Sequence, residues 1–480
     1  MKYDVIVIGA GLGGLTAGAK LAREGKKVLL LEQHDRPGGC ATTFRRRDFT
    51  MEVGLHEMDG LHPRDIKQRI FDDLGVTGRV NFLKVPEFYR FLNGRYDLVI
   101  PHDPEEAKTL LKTTFPGETK GIDDYFFHLL NVRRILVANR DKPDKSIGEF
   151  LDGIIGNEDL KLVLLGNLGY FHDDPYSLSW LYYLNAQGAY YGGSASFIQG
   201  GSQRLSDTLS EIITAHGGTV LLNSLVTAIN YTGGLPSGVT YESTRGKEKD
   251  TNTATAAQIV VNAALPNLAR SLLSRTDGER LSHAMKGNEI GASLLTVYYG
   301  FSPSLKELGS RHYSTFVYDG SVRTQKEIRD NNRSDFGRRS FTFVDYSQVD
   351  ARLAPEEKSV GALCCLDYPS DWSRLDREEY LRMKADVADT MTSRLEKIIP
   401  GFRKAIEHVE VATSLSVQRF TLNPGGAVYG FAQHPGRSFD YLRQLPANVF
   451  IASAWGKTGG GFSGAIVNGY MTAMEVLRAS

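Results

Sequence analysis

The stretch YDVIVIGAGLGGLTAGAKLAREGKKVLLLEQHD, residues 3–35, constrains the fold more than any other part of the chain. It reads as a buried strand from Val5 to Ile8, a glycine turn, a helix from about Leu12 to Glu24 and a second strand from Val28 to Leu31. That is one βαβ unit, and Gly9, Gly11 and Gly14 form G-x-G-x-x-G in the strand-to-helix context that a dinucleotide site requires. Gly9 permits the tight turn, Gly11 removes a side chain where a pyrophosphate approaches, and Gly14 lets the helix pack closely on the strand. The helix N-terminus then offers unpaired N–H groups and its positive dipole end to the phosphates. Glu32, at the end of the second strand, can accept hydrogen bonds from ribose hydroxyls and would repel a 2′-phosphate. A glycine-rich packing turn with no nucleotide is the alternative, and the acidic residue at this spacing weighs against it.

Two further glycine-rich segments separate a flavin from a nicotinamide cofactor. Gly38-Gly39, followed by Cys40, comes directly after the ribose carboxylate and before a strand-like segment from Thr50 to Val53. An extended FAD crossing a sheet needs this second close approach of backbone. Near the C-terminus, IASAWGKTGGGFSGAIVNGY places Gly456, Gly459, Gly460, Gly461 and Gly464 between an apolar strand-like run and a helix. Glycines in that position let the backbone lie against a ligand. Only one dinucleotide fingerprint is present, so electrons come from or go to an external partner. The near-matches GFSGA and HEMDGLH do not make a serine nucleophile or a zinc site. The first has no ordered His and Asp after it, and the second has Gly60 where a ligand belongs.

With these residues in view, the chain resembles the FAD-dependent phytoene desaturase, carotenoid isomerase and retinol saturase superfamily, and most of all its retinol saturase-like branch. The resemblance rests on Gly9 to Gly14, Glu32, RPGGCATTF and VGLHEMDG. It extends through QGGSQRLSDTLSEIITAHGGTVLLNSLVTAIN (residues 199–230), IVVNAALPNLARSLL (259–273) and the C-terminal glycine loop, so the matches sample the whole chain. It implies an α/β fold: a Rossmann-like FAD-binding domain of the GR2 flavoprotein type with an inserted α+β substrate domain. The expected division gives residues 1–75, 196–290 and 415–480 to the FAD domain, and 76–195 and 291–414 to the substrate domain. The implied cofactor contacts are Gly9, Gly11, Leu12, Gly14, Glu32, Gly38, Gly39, Cys40, Val226, Gly460, Gly461, Phe462 and Ser463. Val226 meets the adenine ring through its backbone. The last helix N-terminus lies at the N1–C2=O edge of the flavin, where it would stabilise the charge that develops on reduction.

The middle of the chain is expected to supply the substrate chamber. Residues 75–195 read as helix-rich and aromatic, with Tyr190 and Tyr191 just before the return to the FAD domain. Residues 290–370 alternate as an antiparallel sheet, and Asp376 with Glu379 opens a capped helix that Pro400 follows. The family reaction pairs transfer of a hydrogen and its electron pair at flavin N5 with a proton transfer. His56 is the candidate acid because imidazole titrates near neutrality, with Tyr191 and Trp455 shaping the substrate. A structural role for His56 is an equal alternative. The stretch before Gly200 lacks the family's proline, and the C-terminal loop carries Trp455 and Lys457. The defensible substrate class is therefore an apolar polyene, isoprenoid or related unsaturated molecule, transformed by a saturase, desaturase or isomerase. The alternatives are an FAD-dependent amine oxidase and a flavin-free prenyl-lipid-binding protein of the GDP-dissociation-inhibitor type.

Charge and cysteine content narrow the partners. Fifty-six basic residues balance fifty-six acidic ones, which argues against a nucleic-acid partner. Three cysteines give neither a disulfide framework nor metal-ligand spacing, and no unbroken apolar run approaches the roughly 18 residues that span a bilayer. A cytoplasmic location is expected, with peripheral membrane contact left open.

Overall fold

The computed structural model describes residues 2–139, 144–246 and 250–479. Its strands gather into two seven-stranded sheets and two small ones. Across the first large sheet the order is Thr219–Leu221, Val28–Leu31, Lys2–Ile8, Thr251–Val261, Leu235–Ser243 and Ser224–Thr232, with Val449–Ile451 also paired to Thr251–Val261. Lys2–Ile8 runs parallel to both of its neighbours, because the helix Leu12–Arg23 returns the chain across one face of the sheet. Val28–Leu31 is buried along its whole length, as a strand covered on both faces must be. Ile8 lies opposite both Leu31 and Val261, so three strands end level. The glycine turn, Glu32 and Asn262 therefore emerge at one edge, the place where open α/β sheets bind ligands.

The reading of Gly14 as a packing glycine agrees with the geometry. A Cβ there would lie 2.1 Å from the Gly9 carbonyl oxygen, so any larger residue would push the helix off the strand. The helices Gln203–Ala215 and Gly461–Arg478 pack beside Leu12–Arg23 on the same face.

The second sheet runs Ile406–Ala412, Ser293–Phe301, Ser359–Asp367, Phe341–Asp345, Ser314–Val317, Tyr89–Leu92 and Asp97–Ile100. All neighbours are antiparallel except Ser314–Val317 with Tyr89–Leu92. Side chains alternate across it as the pleat requires. Leu295, Val297 and Tyr299 join a core with Trp372, Met391 and Phe402 beneath the capped helix Arg377–Glu396, while Leu294, Thr296 and Tyr298 face an internal cavity.

The expected antiparallel sheet over 290–370 and the capped helix are both present, with Asp376 accepting from the N–H groups of Glu378 and Glu379. The expectation of a helix-rich stretch from 75 to 195 held only in part. Helices such as Thr119–Leu130 and Trp180–Gly193 form, but Tyr89–Leu92 and Asp97–Ile100 make a hairpin that extends the second sheet. Its partner strand, Ser314–Val317, lies more than two hundred residues away in sequence, so local pattern does not reveal it.

Candidate active site

One cavity of about 2380 Å3 runs from the level strand ends of the first sheet to the underside of the second. Ordinary small-molecule sites occupy roughly 300–1,000 Å3, so this space has room for an extended dinucleotide and a substrate together. Its two ends are built differently.

At the first end the walls are largely backbone. Gly9, Gly11, Leu12, Gly38, Gly39 and Cys40 line it, with Val226 and Thr227 opposite and Asn262 between. The helix that starts at Leu12 has Gly11 as its N-cap, with no side-chain cap and no acidic residue in its first turn. By contrast, Asp65 and Asp103 cap the helices that follow them through their side chains. The free N–H groups at Leu12 are thus left for a ligand anion, the condition a pyrophosphate needs. Glu32 is buried, with one carboxylate oxygen accepting from the Ala10 N–H at 2.7 Å and the other from the His34 N–H at 2.9 Å. Each oxygen keeps a second lone pair, enough to receive two ribose hydroxyls. Val226 stands at a β-bulge in Ser224–Thr232, which turns that stretch of backbone into the cavity. Cys40 is in the wall, and desolvation raises its thiol to about 11, so it is a neutral lining group. Asn262 gave only a weak signal in the sequence, a polar residue at the end of a buried strand. In the fold its amide donates to the Gly9 carbonyl at 3.4 Å and fills the space beside Gly11.

The C-terminal glycines stand where the two ends meet, and here one expectation needs correcting. A Cβ on Gly460 would lie 2.5 Å from the Cα of Tyr429, and Gly461 has φ +76°. The requirement for glycine at these positions therefore comes from the turn and from the close packing of Tyr429, not only from a ring lying against the loop. Gly460, Gly461, Phe462 and Ser463 all line the cavity, and the Gly461–Arg478 helix again starts without a side-chain cap or an early acidic residue. Ser463 donates to Asp59, whose other oxygen is 3.0 Å from the buried ammonium of Lys67. These residues fit an FAD: an uncapped helix for the pyrophosphate, a fixed carboxylate for ribose, and a second uncapped helix for the electron-rich edge of the ring.

At the second end the walls are side chains: Tyr170, Phe171, Tyr182, Tyr190, Tyr298, Tyr429, His56, Glu57 and Cys364. His56 Nδ1 is 2.9 Å from the Tyr170 hydroxyl and 3.9 Å from the Cys364 sulfur. Burial raises the Tyr170 phenol far above its ordinary range and lowers His56 to about 4. The imidazole is therefore neutral at pH 7 and shares a hydrogen bond with the phenol. An acid role resting on a near-neutral His56 titration does not fit these surroundings, because desolvation lowers the ring's affinity for a second proton. Tyr191 does not reach the cavity at all. Its ring packs edge-on against Phe88 at 5.0 Å and Phe126 at 5.2 Å, and its neighbour Tyr190, stacked on Phe88 at 4.9 Å, lines the chamber instead. Trp455 does line the cavity, but its indole is held edge-on to Phe431 at 4.9 Å and donates to Asn423 at 3.3 Å. It is a fixed wall of the first end. Among the described residues no group of His, Cys, Asp and Glu is arranged to hold a metal ion.

The family model of flavin-containing amine oxidoreductases matches residues 12–477. The chain belongs to that family, and it is an FAD-dependent oxidoreductase with a Rossmann-like α/β fold. Among curated relatives, all-trans-retinol 13,14-reductase of Danio rerio is 24% identical over 89% of this chain and 77% of its own length. The chloroplastic prolycopene isomerase of Daucus carota is 25% identical over 89% of this chain and 72% of its own length. Among solved structures, putrescine oxidase bound to putrescine superposes with a TM-score of 0.66 at 14% identity, covering 100% of this chain and 99% of that one. Cyclohexylamine oxidase from Brevibacterium oxydans gives 0.64 at 16%, covering 99% of each. At those identities the structural matches speak to the fold alone. Membership of a flavin-containing family sets aside the flavin-free lipid-binding alternative.

Proposed function

We propose that the protein reduces, desaturates or isomerises carbon–carbon double bonds of an apolar polyene or isoprenoid. The observation that carries this reading is the chamber of neutral aromatic side chains that continues directly from the dinucleotide groove. Likeness along most of the chain to enzymes named for retinol and prolycopene supports it. When bound, FAD supplies two-electron transfer between its ring and a carbon of the substrate. This chain's own residues do the rest. Glu32 and the Leu12 helix start hold the dinucleotide, while Gly38, Gly39 and Val226 admit it closely. The start of the Gly461–Arg478 helix would face the ring, and Tyr170, Tyr182 and Tyr190 shape the apolar chamber and exclude water. We propose the same domain division read from the sequence, with the first sheet in the FAD domain and the second in the substrate domain.

An apolar substrate must be collected from where it dissolves. The rim of the cavity includes Leu130, Val132, Arg133 and Arg134, and beside it Phe127 is 60% and Val137 79% exposed. Such a rim of large apolar side chains and arginines suits the surface of an anionic bilayer. Among the described residues no helix is long and apolar enough to cross a membrane. This face supports peripheral membrane contact, and Phe127→Glu with Val137→Glu is expected to abolish co-sedimentation with anionic vesicles.

The primary test is spectroscopic. The protein reconstituted with FAD should show a bound-flavin spectrum, and after anaerobic reduction it should reoxidise on a conjugated polyene. Reoxidation by amines but not by polyenes, or hydrogen peroxide production from amines, would overturn the reading.

A further inference from the structure

The most conspicuous side chain in the chamber plays no part in the contacts described so far. Glu57 follows His56, lines the same cavity and is 8% exposed, and among the described residues neither of its carboxyl oxygens has a hydrogen-bond partner. A buried polar group without a partner costs stability, and proteins keep few of them without a use. The other carboxyls nearby are engaged. Glu87 accepts from the Tyr313 N–H at 2.7 Å, and Asp59 is bound to Lys67 and Ser463.

We propose that Glu57 is the acid that gives a proton to the substrate carbon when a double bond is reduced. The assignment rests on the polyene reading above and deepens it. Glu57 shares the chamber with Tyr190, which lies within its electrostatic reach, as does Asp59, and Asp59 accepts from Ser463 in the first turn of the C-terminal helix, so the carboxyl is linked to the junction of the glycine loop and the aromatic walls. Desolvation raises it well above the usual carboxylate range, and the like charges of Glu87 and Asp59 add to the effect. The phenols of Tyr170, Tyr190 and Tyr313 also stand within electrostatic reach, and burial keeps them protonated. The adjacent His56 is neutral. Among the described residues no cation is among the groups that act on Glu57, so its surroundings favour the protonated form.

In the reductive direction the π bond breaks. One carbon takes a hydrogen and its electron pair from reduced FAD, which an external two-electron donor has recharged. The other carbon takes the Glu57 proton. The O–H bonding pair stays behind on the carboxylate, and water reprotonates it after turnover. The substrate is reduced by two electrons and the flavin oxidised by two.

The test uses the full chain in three forms: wild type, Glu57→Gln and Glu57→Asp. In ligand-free protein, the infrared C=O stretch of a protonated carboxyl should be present at neutral pH in the wild type and lose one component in Glu57→Gln. In dithionite-reduced, FAD-loaded protein, Glu57→Gln should slow reoxidation by a conjugated polyene about 10²-fold or more, the usual contribution of a positioned acid. FAD uptake and polyene binding should stay unchanged. Glu57→Asp should restore part of the rate, and the wild-type rate should fall as pH rises through the carboxyl's titration. Unchanged reoxidation in Glu57→Gln, or no protonated-carboxyl component assignable to Glu57, would overturn the assignment. A wild type that binds no polyene would instead overturn the substrate reading, and the infrared experiment would still report on the carboxyl.

Discussion

The two ends of the cavity solve the same problem, holding a ligand inside a protein, by opposite means. At the dinucleotide end the work is done by backbone: uncapped helix starts, glycine turns and one carboxylate whose oxygens are both already hydrogen-bonded. At the chamber end it is done by side chains brought from five parts of the chain, and there polar groups are left neutral or unpartnered. A backbone site tolerates no added atoms but carries little electrostatic strain. A side-chain site accepts changes of shape while its charge states depend on burial.

The largest expected effect tests the first half of that contrast. Gly14→Val would force atoms into the 2.1 Å gap to the Gly9 carbonyl and should leave no folded, flavin-bearing protein, as judged by soluble yield and the visible spectrum. The adjacent tyrosines provide the next test. Tyr191→Ala removes a buried ring from the packing around Phe88 and Phe126 and should cost about 3–5 kcal/mol in a denaturant melt. Tyr190→Ala removes an equally buried ring stacked on Phe88 and should cost comparable stability, but it alone should also weaken polyene binding by titration; equal binding by both variants would mean that the chamber wall is simply core. Glu32→Ala leaves two N–H groups without their acceptor and removes the ribose contact, so FAD affinity should fall by about 2–3 kcal/mol, roughly 30- to 100-fold, by fluorescence titration. The smallest effect concerns His56. Its folded pKa is lowered to about 4, so below its unfolded value near 6.5 the unfolded chain binds more protons. Stability should therefore fall as pH drops. Between pH 7 and pH 5 the His56 share is about 2 kcal/mol, and His56→Gln should flatten that part of the profile in thermal melts.

Much of the first end was legible because its determinants are local. Gly9, Gly11, Gly14, Glu32, Gly38 and Gly39 announce themselves by spacing, and the fold places all of them except Gly14 on the cavity wall. Gly14 acts one layer back. The second end was legible only in composition. The sequence marks Tyr190 and Tyr191 together, yet a helix turns successive residues about 100° apart, so of two equally buried rings only Tyr190 reaches the cavity wall while Tyr191 packs between Phe88 and Phe126. His56 and Glu57 pose the same problem in electrostatic form. Imidazole and carboxyl carry ordinary titrations in the sequence, and only burial by distant segments such as those of Tyr170 and Tyr313 lowers the one and raises the other.

The amino-acid sequence by itself determined the βαβ unit, the single dinucleotide site, the flavin class and the capped surface helix, since each depends on contacts between residues near one another in the chain. Tertiary structure alone decided that the Tyr89–Ile100 hairpin joins the second sheet, that Tyr429 claims the space beside Gly460, and that Glu57 stands unpartnered in an aromatic chamber. Those outcomes depend on which remote surfaces exclude water from a given side chain, and burial is a property of the assembled layers, which no short stretch of sequence contains.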